Sequence, residues 1–281
     1  MSTLNAYATL AEFKAYWQDR GGTTKTDTGD DAVIERLLRT ASQLLDTKTG
    51  RHFWPSVETR YFSVPDGESI DPRRLDLDED LLEVISVANG DGTTLPSSAY
   101  DLLPRNLTPY NGIRLKDNVP YIWVSNTTGN IHFVIAVTGI WGFHNHYPLA
   151  WLVGSTAAED MDTSETGYDV ASGAGFAIGN LIRFDNELGY LSNVVTNTLT
   201  TTRGENYSAA ATHLTGINVS IWQVMEEAKN AVCEIANTAY NRRFGQSTSN
   251  TETVTPAGIV LSPKDIPSLA QEFIRSYRLY S

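Results

Sequence analysis

The chain has one cysteine, Cys233. A lone thiol permits no intrachain disulfide, which excludes a small secreted scaffold held by staples. Cys233 lies beside Val232 and Ile235 in an apolar helical stretch, so a buried thiol is a plainer reading than a nucleophile. Basic charge is scarce as well. There are 21 Lys and Arg against 33 Asp and Glu, a net charge of −12. A protein that grips nucleic acid carries a basic patch to neutralise phosphates, so that class is disfavoured.

Long apolar runs are missing too. None approaches the roughly 20 residues needed to span a bilayer. The longest candidate, Ile131 to Trp141, contains His132 and reads as a strand. Met1 to Tyr7 has neither a basic region nor an apolar stretch, so it does not read as a signal peptide. The Asn-x-Ser/Thr triplets at Asn106, Asn126, Asn206 and Asn218 are then chance matches in a chain read as cytoplasmic.

Signatures of catalysis are equally thin. No Gly-x-Ser-x-Gly turn occurs. Gly173-Ala-Gly175 is followed neither by a helix nor by Gly-Lys-Ser/Thr, which removes a phosphate-binding loop. Asp76, Asp78, Glu79 and Asp80 lack the loop-plus-Glu spacing of a calcium hand and read as a solvated acidic face. His144 and His146 could ligate a metal, with carboxylates from Asp160, Asp162 and Glu165. Yet no third ligand has a recognised spacing, and a polar loop at a sheet rim is the plainer reading. No catalytic, cofactor-binding or metal-binding residue is assigned, and no cofactor is expected.

What is present is a globular composition: 281 residues, 41% apolar and 19% charged. That suits one large domain or two smaller ones. Thr9-Leu-Ala-Glu12 is a capping box, predicting a helix over Leu10–Gln18 with Leu10, Phe13 and Trp17 on one face. Asp19 to Gly29 is polar and glycine-rich and reads as a mobile loop. Asp30 opens the strongest helix, with Val33, Ile34, Leu37, Leu38, Ala41, Leu44 and Leu45 at helical spacing and Gly50 as its stop. The two helices are expected to form an antiparallel pair.

From Phe53 the period becomes two. Strands are expected at Val57–Val64, around Val84–Val87, and at Tyr100–Leu103, Ile113–Leu115, Tyr121–Val124 and Ile131–Val137. Gly154 to Gly175 reads as a linker or exposed loop. A second β unit follows: Leu181–Phe184, Leu188–Val195, Leu199–Arg203 and Val219–Trp222, with tight reversals at Asp185–Leu188 and Val195–Thr198. At about 50 residues it needs a neighbouring surface to be stable. Trp54, Trp123, Trp141 and Trp222 lie in or beside apolar strands, where core packing is a better reading than a sugar platform.

Helix returns at Gln223, with Val224, Ala228, Ala231, Val232, Ile235, Ala236 and Ala239 as its stripe. Arg242 and Arg243 complement the dipole in its last turn, and Gly245 ends it. Gln246 to Pro256 reads as a Ser/Thr-rich loop. A last helix starts near Pro263 or Pro267. The expected fold class is α+β: N- and C-terminal helices forming a helical bundle, a central antiparallel β domain, and an inserted small β module. The expected boundaries are 1–52, 53–143, 144–222 and 223–281.

Thr9-Leu-Ala-Glu-Phe-Lys14, Asp30-Asp31, Leu37-Leu38, Leu45-Asp46 and Thr49-Gly-Arg51-His-Phe53 resemble the opening of tailed-bacteriophage head–tail connector (adaptor) proteins. Tyr100–Pro104 through Pro109–Leu115 resembles their β segment. Gly139-Ile-Trp-Gly142-Phe resembles their turn into the C-terminal helices, and the segment from Ile266 resembles their closing helix. The departure is an insertion between Phe143 and Gln223. Its segments Ile178–Glu187, Thr198–Gly204 and His213–Gly216 look like a small β module of phage structural proteins.

The resemblance implies a virion protein made in the host cytoplasm and located in the neck between head and tail, with no enzymatic activity. Such subunits form a ring, usually dodecameric, beneath the portal protein, and offer a docking site to a tail-terminator or tail-completion protein. The capsid protein is a further contact, DNA passes without sequence-specific binding, and no membrane is involved. Negative charge suits a channel through which DNA must slide. The expected portal or subunit interface is the last helix: Ile266, Leu269, Phe273, Ile274, Arg275, Tyr277 and Arg278. Removing Pro267–Ser281 is expected to leave a folded chain that no longer joins heads. The rivals are a tail or receptor-binding module, disfavoured by the lack of repeats, and a metal-dependent hydrolase built on His144 and His146.

Overall fold

A computed structural model of the chain describes residues 6–19, 28–65, 71–244, 253–254, 260–261 and 266–279. Among these residues it is an α+β protein, with four α-helices, two six-stranded antiparallel sheets and one two-stranded pair. The chain divides into two compact units. One joins Met1–Phe53 to Val224–Ser281, and the other is Trp54–Gln223.

The first unit holds helices α1 (Leu10–Asp19), α2 (Asp31–Thr49), α3 (Glu226–Phe244) and α4 (Ser268–Tyr277). The capping box forms as the sequence predicts. The Thr9 Oγ1 accepts from the Glu12 N–H at 3.2 Å, and the Glu12 carboxylate accepts from the Thr9 N–H at 2.7 Å, so two otherwise orphaned donors are satisfied. Gly50 ends α2 in the left-handed conformation, φ 68°, donating its N–H to the Asp46 carbonyl at 2.8 Å. Ile34, Leu38, Ala41 and Leu45 are the buried face of α2. α2 contacts α1, α3 and α4, and its most extensive packing is on α3 rather than on α1. The Tyr240 hydroxyl, late in α3, donates to the carboxylate of Asp30, the N-cap of α2.

Tyr7 is fully enclosed. Its hydroxyl donates to the Asp46 carboxylate and accepts from the Phe53 N–H at 2.9 Å, pinning the chain before α1 to both ends of the segment that closes α2. Of the loop read over Asp19–Gly29, Asp19 closes α1 and the rest lies mostly outside the described residues. Gly245 and most of Gln246–Pro256 also lie outside them. Within that expected loop, Thr253–Val254 is a short strand paired antiparallel with Val260–Leu261.

The second unit begins with β1 (Ser56–Phe62), β2 (Arg74–Ala88), β3 (Thr94–Leu95), β4 (Tyr100–Leu103), β5 (Tyr110–Leu115) and β6 (Ile135–Trp141). They are ordered β1-β6-β2-β5-β4, with β3 turned back on β2. β2 is far longer than the Val84–Val87 stretch that announced it. Its first half alternates buried Leu75 and Leu77 with exposed Asp76 and Asp78, so the acidic cluster is the solvent side of a strand.

Tyr121–Val124 is not a strand. Its backbone is satisfied by side chains instead of a ladder. The Asn89 amide donates to the Ile122 carbonyl at 2.7 Å and accepts the Val124 N–H at 3.1 Å, while Arg73 donates to the Tyr121 carbonyl at 3.1 Å. The strand expected at Ile131–Val137 starts later, at Ile135, because Phe133 is held at φ 54° and cannot continue an extended ladder.

The remaining strands are β7 (Trp151–Thr156), β8 (Gly167–Asp169), β9 (Leu181–Phe184), β10 (Glu187–Val195), β11 (Thr198–Thr202) and β12 (Asn218–Trp222), ordered β7-β12-β9-β10-β11-β8. Both tight reversals occur, with Asp185 at φ 48° and Thr196 at φ 54°. The expected linker over Gly154–Gly175 is a correction: it supplies much of β7 and all of β8, the two end strands. These also meet each other. The Ala158 N–H donates to the Asp169 carbonyl at 2.8 Å and the Ala171 N–H to the Thr156 carbonyl at 2.9 Å, around an Ala157–Val170 bridge. The sheet therefore curls on itself, and small residues are what its closing seam needs. Ala157, Met161, Tyr168, Val170, Ile182, Phe184, Leu191, Leu199 and Val219 fill its interior.

The tryptophans at 54, 123, 141 and 222 are all buried, as their strand positions predict. Trp123 and Trp141 also spend their indole N–H groups on the carbonyls of Arg73 and Glu58, at 2.8 and 3.1 Å. No helix among the described residues is long and apolar enough to cross a membrane.

Candidate functional site

The last helix is the site on which the sequence places an interface. α4 begins at Ser268 behind Pro267, and the Gln271 side chain caps the entry by donating to the Ile266 carbonyl at 2.7 Å. Its residues divide into two faces. Ala270 and Phe273 are buried. Phe273 lies 5.2 Å from the Phe53 ring and 4.7 Å from Tyr277, and Tyr277 stands edge-on to Phe53 at 6.3 Å. The Leu279 N–H donates to the Thr49 carbonyl at 2.7 Å, which ties the end of this segment to the end of α2. Leu269, Arg275 and Arg278 are exposed, and Ile266, Ile274 and Tyr277 are half-buried. Arg275 pairs with Glu272 at 3.3 Å.

Phe273 is thus a core residue of the helical unit, not a docking side chain, and Tyr277 supports it. Removing Pro267–Ser281 would strip the Phe273 and Tyr277 rings from Phe53. The face that a partner can reach is Leu269, Arg275 and Arg278.

His144 and His146 do not converge on a metal. The buried His144 ring uses both nitrogens. Its Nδ1 accepts from the His146 N–H at 3.0 Å, so its Nε2 carries the proton and donates to the Gln223 carbonyl at 3.0 Å. The ring also stands edge-on to Trp222 at 5.4 Å. His144 is a strut between the end of β6 and the end of β12. Among the described residues no group of three His, Cys, Asp or Glu side chains is arranged to hold a metal ion. Cys233 is buried, and burial pushes its thiol up to about 12, far from the thiolate that nucleophilic chemistry needs.

The structure brings together residues from three segments, Ile178–Glu187, Thr198–Gly204 and His213–Gly216. Glu187 opens β10, Arg203 follows β11, and His213 lies on the return to β12. All three are buried. Arg203 grips Glu187 with two parallel bonds of 2.6 and 2.8 Å. The same carboxylate accepts the Ala211 N–H at 2.8 Å and the Gly204 N–H at 3.2 Å, and His213 Nε2 lies 2.9 Å away. Arg203 also donates to the carbonyls of Asp162, Glu165 and Ala211. Burial penalises the Glu187 charge, but Arg203, the Ala211 N–H and His213 outweigh it and hold the carboxyl below the usual range. Every partner is internal, so the network fastens the long 203–217 return to the curled sheet.

A second ion pair joins the two sheets. Arg183 of β9 reaches Glu83 of β2 at 2.9 and 3.1 Å, and the Tyr147 hydroxyl donates to Glu83 at 2.6 Å. Burial again works against the Glu83 charge, yet Arg183 and Tyr147 together lower its pKa. Beside this pair lies an open cleft of about 380 Å³, lined by Trp151, Arg183, Asp185, Ile217, Asn218 and Ser220 among others. Its one guanidinium is already committed to Glu83 and to the Asp185 carbonyl.

Sequence reasoning singled out none of these charged partners as partners. Glu187 and Arg203 stand at the ends of β10 and β11 and His213 on the return to β12, so only the folded sheet brings them together. No family model matches the chain, and neither a curated protein nor a solved structure is similar to it.

Proposed function

We propose that the chain is a structural subunit of a tailed-bacteriophage neck, a head-to-tail connector that forms a ring beneath the portal and gives the tail its docking site. In this reading the four helices make one bundle, the first sheet is the connector's β domain, and the second, curled sheet is the inserted module. The chain has no catalytic role. The observation that carries the reading is the chain order of the helical unit. α1 and α2 come from the beginning, α3 and α4 from the end, and the whole β unit lies between them. That is the order the sequence resemblance implies. The net charge of −12 would keep packaged DNA from adhering to the bore.

The module faces outward or toward the tail in this account. Cross-linking of assembled particles tests that placement, and contacts confined to the channel lumen would count against it. The function itself is tested by adding the purified chain to DNA-filled, tailless heads that lack it. The expected result is that heads become competent to take up tails with the wild-type chain. A chain carrying Leu269→Asp and Arg275→Glu on the reachable face of α4 should stay folded and fail. Heads that accept tails equally well without the chain would contradict the proposal.

A further inference from the structure

Four of the six tryptophans are buried, and of the other two Trp151 lines the open cleft beside the Glu83–Arg183 pair. The cleft belongs to the outer face of the curled sheet. Ile182 and Phe184 of β9, and Val219 and Ile221 of β12, pack in the sheet's interior. Alternation therefore turns Arg183, Asn218 and Ser220 outward, and register sets Ser220 opposite Arg183. Trp151 pairs with Trp222 at the start of β7, where the two rings meet edge-on at 4.9 Å. Asp185, in the reversal between β9 and β10, completes the lining. The volume of about 380 Å³ falls within the roughly 300–1,000 Å³ of small-molecule sites.

The chemistry of the lining excludes most ligand classes. An anion finds no spare cation. Arg183 spends Nη1 and Nη2 on Glu83 and Nε on the Asp185 carbonyl, and the Asp185 carboxylate repels negative charge. The place of a cation over the Trp151 ring is already taken by Arg183, 5.6 Å from its centroid. An apolar ligand would desolvate Asp185, Asn218 and Ser220 without replacing their bonds to water. What remains is a neutral molecule rich in hydroxyls that also has an apolar face.

We infer that the cleft binds a neutral saccharide, with Trp151 against the C–H face of a sugar ring and Asp185, Asn218 and Ser220 bonded to its hydroxyls. The Asp185 carboxylate accepts, while Asn218 and Ser220 both donate and accept, which matches hydroxyls that do both. Asp185 is held ready for this role. Its carbonyl accepts from Arg183, and its Oδ2 lies 3.1 Å from Nδ1 of the buried His213, which leaves Oδ1 for a ligand. Its side chain is 64% exposed, and its φ of 48° is one that Asp adopts more readily than most residues. The buried Glu187–Arg203–His213 network thereby steadies a carboxylate that faces the cleft. A site ordered before its ligand arrives loses less freedom on binding. The cleft is a property of the β unit and stands whether or not the chain is a connector.

The test applies the full chain to a printed array of neutral oligosaccharides built on glucose, galactose, mannose and N-acetylglucosamine, with heparin as the anionic control. Titration calorimetry with the best-retained glycan then compares the wild type with Asn218→Ala and Asp185→Asn. Asn218 is exposed, so Asn218→Ala should melt as the wild type does. Asn at 185 tolerates the left-handed backbone and removes only the charge. The expected result is that a neutral glycan is retained, heparin is not, and each variant weakens binding by about tenfold. An array on which no neutral glycan is retained would overturn the inference. So would a preference for heparin, or an Asn218→Ala chain that binds as tightly as the wild type.

Discussion

At the residue scale, the buried Glu187–Arg203–His213 cluster is the most consequential feature that spacing along the chain does not reveal. The three residues stand 16 and 26 positions apart, and nothing in composition or periodicity pairs them. What makes the pairing is the fold of the sheet and of the return to β12. The cost of disturbing it is large, because truncating one member of a buried ion pair leaves the other charge without compensation. Glu187→Gln should destabilise the β unit by about 3–5 kcal/mol, read from urea unfolding followed by tryptophan fluorescence. A loss below about 1 kcal/mol would mean that Arg203 finds other partners.

The same group sets a pH dependence. The folded Glu187 carboxyl titrates below its ordinary value of about 4.5, so its contribution is present above that pH and is lost as the pH falls through the lower, folded value. Glu83 and Glu12 shift in the same direction. Melting temperature should therefore hold steady from neutral pH to about 4.5 and fall below it, and Glu187→Gln should lower the plateau while softening the acid limb. An acid limb of unchanged slope in the variant would contradict this assignment. His144 teaches a related lesson. A His-x-His string is visible in the sequence, but the protonation pattern that makes it a strut is visible only once the Gln223 carbonyl is placed beside it.

At the scale of elements, helices were the most legible because their signals are local. The Thr9–Glu12 box and the Gly50 stop bracket the N-terminal pair within a residue or two of the predicted ends. Thr9→Ala should cost about 1 kcal/mol through the lost cap. On α4, Phe273→Ala should cost about 3–5 kcal/mol for a buried aromatic, whereas Leu269→Asp on the exposed face should change stability by no more than about 0.5 kcal/mol. Denaturant titration of both variants checks the division of faces, and equal losses would refute it.

Strands were less legible where their partners are distant or where side chains replace the ladder. Tyr121–Val124 has strand composition, yet Asn89 and Arg73 take its hydrogen bonds. Gly154–Gly175 has linker composition, yet it closes a sheet because the seam between two end strands accommodates small residues.

At the scale of the whole molecule, the α+β class and the division into helical and β parts could be read from the change of period near Phe53 and its return near Gln223. The curling of the second sheet could not, since it depends on β7 meeting β8 across the full width of that sheet. The connector proposal rests on an ordered series of motifs, each weak alone, and on a helical unit drawn from both ends of the chain.

The most direct test of the connector account is quantitative mass spectrometry of purified virions, with the copy number of this chain scaled to the portal protein. The account predicts a ratio near one to one, as for a ring matched to the portal. Absence from virions would contradict it, and so would a ratio several-fold above the portal, which belongs to a capsid, tail-tube or decoration protein.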